Sequence, residues 1–155
     1  MRLRTLFALG AGVLAARRFW QPPHEYSFSG KSVLITGGSR GLGLAIGRIL
    51  AAEGARLTLL ARNGAELERA AADLRGRGAQ VLTIAGDVSD QNTAHMAVER
   101  AVTQYGGIDV LINNAGIIQV GPLENSTVED FRATMDVHFW GPLYTTLAAR
   151  PHMQR

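Results

Sequence analysis

Four short apolar runs punctuate the chain, at residues 33–35, 57–60, 81–84 and 110–112. Each is nearly continuous in Val, Ile and Leu rather than alternating, as expected of parallel strands covered on both faces. Between the runs, apolar residues recur at helical spacing. Leu42, Ala45, Ile46, Ile49 and Leu50 mark a first helix, which Gly54 can close. Leu67, Ala70, Ala71 and Leu74 mark a second, with Asn63 as N-cap and Glu66 three residues on. Ala94, Ala97, Val98, Ala101 and Val102 mark a third after Ser89. A fourth is predicted from Ser126, with Glu129 completing a capping box and Phe131 and Met135 on one face. The order β-α-β-α-β-α-β-α with right-handed crossovers predicts an α/β fold: a doubly wound parallel sheet (Rossmann-like), first four β-α units only.

At 155 residues the chain has room for one domain, and without cysteine it carries neither a disulfide scaffold nor a thiolate metal site. The formal charge of +3 is concentrated at one end. Arg2, Arg4, Arg17 and Arg18 lie near the N-terminus, and setting those four of the 16 basic residues aside leaves 12 against 13 acidic ones. The rest of the chain is therefore no basic surface, which argues against nucleic acid as a partner. His24, His95 and His152 are scattered without ligand spacing, so no metal is expected.

Residues 5–16 form an apolar run with two arginines on each side. As a helix it would measure about 18 Å, against a hydrocarbon core of roughly 30 Å. Three readings fit it: a membrane anchor with Phe19 and Trp20 at the interface, a signal-peptide core with a small-residue site at 13–15, and a plain extension or misplaced start. The chain thus divides into a hydrophobic segment (1–20), a linker (21–29) and a folded domain (30–155). Membrane contact through residues 3–20 belongs to the anchor reading, and the expected location is cytoplasmic or membrane-associated.

Directly after the first apolar run stands Thr36-Gly37-Gly38-Ser39-Arg40-Gly41-Leu42-Gly43, which opens the first helix. Glycines allow a tight turn and a close backbone approach to a pyrophosphate, and the helix N-terminus supplies free N–H groups. The form Thr-Gly-x-x-x-Gly-x-Gly resembles the short-chain dehydrogenase/reductase family. Three further segments extend the resemblance: Asp87-Val88 after the third strand, Asn113-Asn114-Ala115-Gly116 after the fourth, and the segment from Asp136 to Gly141. Together they cover residues 30–150. The resemblance implies a cofactor site of Thr36, Gly37, Ser39, Arg40, Gly41, Leu42 and Gly43 in the loop, Asp87 and Val88 at the adenine, and Asn114, Ala115 and Gly116 beside the cofactor.

A site preferring NAD(H) usually carries a carboxylate at the tip of the second strand. Here that strand ends Leu59-Leu60-Ala61-Arg62. Arg62 and Arg40 can instead pair with a 2′-phosphate, so NADP(H) is expected over NAD(H). A methyltransferase, the other fold-level candidate, would also want an acid after strand two.

The family's reaction exchanges hydride between the nicotinamide and a small-molecule carbonyl/alcohol substrate, with proton transfer by a Tyr-x-x-x-Lys pair and polarisation by a serine. Four residues after Tyr26, Tyr105 and Tyr144 stand Gly30, Asp109 and Ala148, and Lys31 is the only lysine. The chain as given lacks that pair, and a truncated record is the expectation, the alternative being a non-catalytic nucleotide-binding or interaction module. A strand four at the sheet's edge is expected to expose a long apolar edge. His138 stands where the family has asparagine. An α-helix through Pro142 would leave the carbonyl of residue 138 without its i+4 donor, and the resemblance implies that this carbonyl binds a relay water. A full-length form is expected to be a homo-oligomer that uses the helix starting near Ser126.

Overall fold

In the computed structural model, residues 26–153 are described, so the apolar run at 5–16 and most of the predicted linker lie outside the described residues. Four parallel strands, β1 (Ser32–Thr36), β2 (Arg56–Ala61), β3 (Gln80–Ala85) and β4 (Val110–Ile112), lie in the order β3-β2-β1-β4. Helices α1 (Gly41–Ala52), α2 (Gly64–Gly76) and α3 (Gln91–Tyr105) connect them. After β4 come a 3-10 turn (Leu123–Asn125), α4 (Val128–Met135), one π-helical turn (Asp136–Trp140) and α5 (Gly141–Met153).

Successive strand residues face opposite layers, which is why unbroken apolar runs were needed. Val33, Ile35, Leu57 and Leu59 pack with Leu50 of α1 and Leu67 and Leu74 of α2. Leu34 faces the other way, onto Val98 and Ala101 of α3 and Ala149 of α5. Leu60 and Ile84 share that second layer with Val88, Ala97 and Val137. The predicted doubly wound parallel sheet is the fold observed. Its β4 edge differs from the expectation: the strand is three residues long and half-buried, so the apolar edge is short. Among the described residues no helix is long and apolar enough to cross a membrane.

Two helices start one residue beyond where the sequence reading placed them. Asp90, not Ser89, caps α3, accepting from the amides of Asn92 (3.3 Å) and Thr93 (3.0 Å). Ser89 is taken instead by Asp87, to which its hydroxyl donates at 2.7 Å. At α4 the capping box is Thr127 with Asp130, not Ser126 with Glu129. Ser126 is still closing the 3-10 turn, its N–H donating to Leu123 at 3.0 Å.

The starts of β1 and β4 are tied by Asp109, which accepts from the Ser32 amide at 2.8 Å and from Lys31 Nζ at 3.1 Å. The Ser32 amide, then Lys31, hold its carboxyl below the usual aspartate range. A carboxyl whose pKa is lowered by folding stabilises the fold above its unfolded value, and loses that contribution as pH falls through the folded value. Asp109→Asn is therefore expected to cost about 1 kcal/mol at pH 7, a low figure because the carboxylate is partly solvated. The difference from wild type should shrink as pH falls below about 3.9. Urea midpoints at pH 7 and pH 3 check this, and an equal loss at both refutes it.

Candidate functional site

Strand order reverses between β1 and β4: after β1 the chain winds outward through β2 and β3, then returns to the other side of β1. Crevices at such switch points, beyond the carboxyl ends of the strands, are where open α/β sheets bind ligands. A cleft of ≈ 700 Å³ lies there.

The β1–α1 loop forms one wall. Gly37 and Gly41 turn it with φ of 66° and 54°, and the Gly37 amide donates to Leu60 at 2.7 Å. A Cβ on Gly43 would overlap the Gly37 carbonyl oxygen and stand 2.6 Å from Asn114 Nδ2, so only glycine lets α1 start this close to β4. The N-cap of α1, Arg40, gives no side-chain cap, and the first turn holds no acid. The amide of Leu44 reaches the Arg40 carbonyl at 3.2 Å, whereas the amides of Gly41, Leu42 and Gly43 have no acceptor among the described residues. Free amides at the positive end of a helix suit an anion.

β1 and β4 are held together at the cleft floor. Thr36 Oγ1 accepts from the amides of Asn114 and Ala115, both at 3.0 Å. Asn114 Nδ2 in turn donates to the carbonyls of Thr36 (3.0 Å) and Gly37 (3.2 Å). Asn113 points away to α5, its Oδ1 accepting from Thr145 at 2.7 Å.

Gly37, Ser39, Arg40, Gly41, Leu42, Arg62, Asp87, Val88, Asn114, Ala115, Gly116 and His138 all line the cleft. Thr36 and Gly43 do not; they lie behind its wall and set the approach of α1 and β4. The sequence reading missed Leu60, Ala61, Asn63, Glu66, Gly86, Ile117, Ile118 and Val137 as lining residues. Asn63 does cap α2, accepting from the Glu66 amide at 3.1 Å. The Glu66 carboxylate, however, turns to the glycine loop: its Oε2 accepts from Ser39 Oγ at 3.3 Å and lies 3.7 Å from Arg40 Nε. Arg62 lies 3.8 Å from Asp87.

His138 sits in the π-helical turn, where Gly141 N–H donates to the Asp136 carbonyl. That i→i+5 pattern replaces the α-helical geometry assumed for Pro142, which is the second residue of α5. The His138 ring places Nε2 2.8 Å from the Ile117 carbonyl and 3.2 Å from its amide. A Cβ on Gly116 would stand 2.9 Å from ring Cε1, so this glycine admits the ring. Among the described residues no tyrosine or lysine lines the cleft. Tyr105 instead donates to the Leu57 carbonyl at 3.3 Å.

The family model described as short chain dehydrogenase matches residues 31–155. "11-beta-hydroxysteroid dehydrogenase-like 2" of Arabidopsis thaliana is 38% identical over 134 residues, covering 85% of this chain and 44% of the relative. A short chain dehydrogenase from Burkholderia cenocepacia, solved in complex with NADP, superposes with a TM-score of 0.78 at 34% identity, over 83% of this chain and 53% of that one. An NAD+-bound xylitol dehydrogenase does so with a TM-score of 0.78 at 31% identity, over 83% and 50%. The chain spans about half the length of these proteins, or somewhat less. The match runs unbroken from Lys31 through glycine loop, switch-point cleft and π-helical turn, and it makes this chain a member of the short-chain dehydrogenase family of oxidoreductases.

Proposed function

We propose that residues 30–155 are the NADP(H)-binding part of an oxidoreductase that moves hydride between a nicotinamide cofactor and a small-molecule carbonyl/alcohol substrate. The observation that carries this reading is the pair Arg40 and Arg62 lining one cleft with the uncapped start of α1, beside a β2 that ends without an acid. The glycine loop fits the group, since glycine at 43 is what lets the start of α1 lie this close to Gly37 and Asn114. When bound, the nicotinamide ring supplies or takes up the hydride. The chain's own residues hold and orient. The amides of Gly41 and Leu42 bind the pyrophosphate, Arg40 and Arg62 the 2′-phosphate, and Asp87 and Val88 the adenine. Ala115 and Gly116 present their backbone to the cofactor, and His138 fixes Ile117 from the asparagine position. The NADP complex of the Burkholderia protein supports the choice of cofactor, while the NAD+ complex of the xylitol dehydrogenase leaves that choice to the arginines. An oligomer would use the helix that starts near Ser126, where Phe131 and Met135 stand more than half exposed.

A titration of the reduced-nicotinamide fluorescence tests the reading. NADPH is expected to bind more tightly than NADH, and Arg62→Ala to weaken NADPH roughly fivefold, as for one exposed charge-assisted contact worth about 1 kcal/mol. Equal affinities for the two cofactors would overturn the assignment.

A further inference from the structure

Both arginines of the cleft are already paired with acids, and the two pairs differ in kind. Asp87 is held in its own loop: one oxygen accepts from the amide (3.0 Å) and hydroxyl (2.7 Å) of Ser89, and the other lies 3.8 Å from Arg62. Glu66 has no such local partners. It stands at the third position of α2, where a capping box would turn its carboxylate back to the Asn63 amide, yet the carboxylate crosses to the glycine loop instead. There it meets the two side chains of that loop that a phosphate would use, Ser39 Oγ at 3.3 Å and Arg40 Nε at 3.7 Å. Ser39 is buried and its hydroxyl has this one acceptor among the described residues, while the Arg40 side chain is 83% exposed and free to reorient. The acid missing from the tip of β2 is thus supplied from the first turn of the next helix, 27 positions away from its hydroxyl partner.

We propose that Glu66 is a specificity-determining residue: its carboxylate competes with the cofactor's 2′-phosphate for Ser39 and Arg40, and so lets the cleft admit the non-phosphorylated dinucleotide alongside the phosphorylated one. This rests on the cofactor assignment above. A phosphate entering beside Arg40 carries close to two negative charges. It must take Arg40 from Glu66 and then sit next to a like charge. A 2′-hydroxyl, being neutral, meets neither cost and can itself donate to a carboxylate. Because Arg40 is solvated, the penalty is modest and screened by salt.

The experiment uses the chain as it is, with 2′,5′-ADP and 5′-AMP as probes, because these differ only in the 2′-phosphate and need no nicotinamide pocket. Dissociation constants are measured by calorimetry at low and high salt for wild type, Glu66→Gln and Glu66→Ala. Both variants are expected to raise the preference for 2′,5′-ADP over 5′-AMP by about three- to tenfold at low salt, with a smaller gain at high salt. A purely structural role for Glu66 at the start of α2 would weaken both probes together and leave their ratio alone. A ratio within about twofold of wild type in both variants, or one shifted toward 5′-AMP, overturns the proposal while leaving the cofactor assignment standing. If wild type binds neither probe, the cofactor assignment itself fails and this proposal with it.

Discussion

Gly43→Ala is expected to reduce affinity for NADPH by about 100-fold or more, equivalent to about 2.7 kcal/mol. The loss does not come from a missing contact, since Gly43 does not line the cleft. A methyl group there would overlap the carbonyl oxygen of Gly37 and press on Asn114 Nδ2. Neither neighbour can yield cheaply. The Gly37 carbonyl accepts from Asn114, and the Gly37 amide is fixed to Leu60. The easier response is for the first turn of α1 to move away from the sheet, carrying the free amides of Gly41 and Leu42 with it. Overpacking of this kind also costs about 1–3 kcal/mol of stability. Gly76, by contrast, has nothing within 4 Å of an added Cβ and lies at the end of α2, so Gly76→Ala should leave binding unchanged. Fluorescence titration of both variants, beside their urea midpoints, separates lost binding from lost folding. Near-native NADPH affinity in Gly43→Ala would show that α1 does not need its observed approach.

Strands were legible because burial on both faces leaves an unambiguous signal, but their ends were not. Each of β1, β2 and β3 runs one residue further at both ends than its apolar core. Ser32 pairs with Arg56, and Arg56 with Gln80. Ladder hydrogen bonds belong to the backbone and continue past the last side chain that needs burial. Cap positions failed for a related reason. Ser89 and Asp90, like Ser126 and Thr127, are adjacent residues of equal capping competence, and only their competing partners decide between them. For Ser89 that partner is Asp87; for Ser126 it is the 3-10 turn. The glycine loop was readable from one contiguous motif, and further parts of the cleft lining from the separate segments at Arg62, 87–88 and 114–116. Glu66 was not, because its local signal as a capping residue was complete in itself and its true partner lies in another βα loop. Thr36 and Gly43 were read as part of the cofactor site; they stand behind the lining of the cleft rather than in it.

The position of Thr36 leads to the largest stability effect expected of a near-isosteric change. Thr36 is 1% exposed, and its hydroxyl accepts from two amides, of Asn114 and Ala115, each at 3.0 Å. Those residues are 78 and 79 positions away, so one oxygen closes the long connection between the ends of β1 and β4. Thr36→Val keeps the shape and removes both acceptor interactions, leaving two part-buried N–H groups without a partner. At about 1–3 kcal/mol for each orphaned donor, the expected loss is about 2–6 kcal/mol, a large share of the stability of a domain this size. Thr36→Ser retains the oxygen and should lose no more than about 1 kcal/mol through the missing methyl. The order wild type, Thr36→Ser, Thr36→Val in urea midpoint is the check. A valine variant as stable as the serine one would mean that these amides find other acceptors, and that β4 is held at the cleft by its three ladder residues and by Asn114 alone.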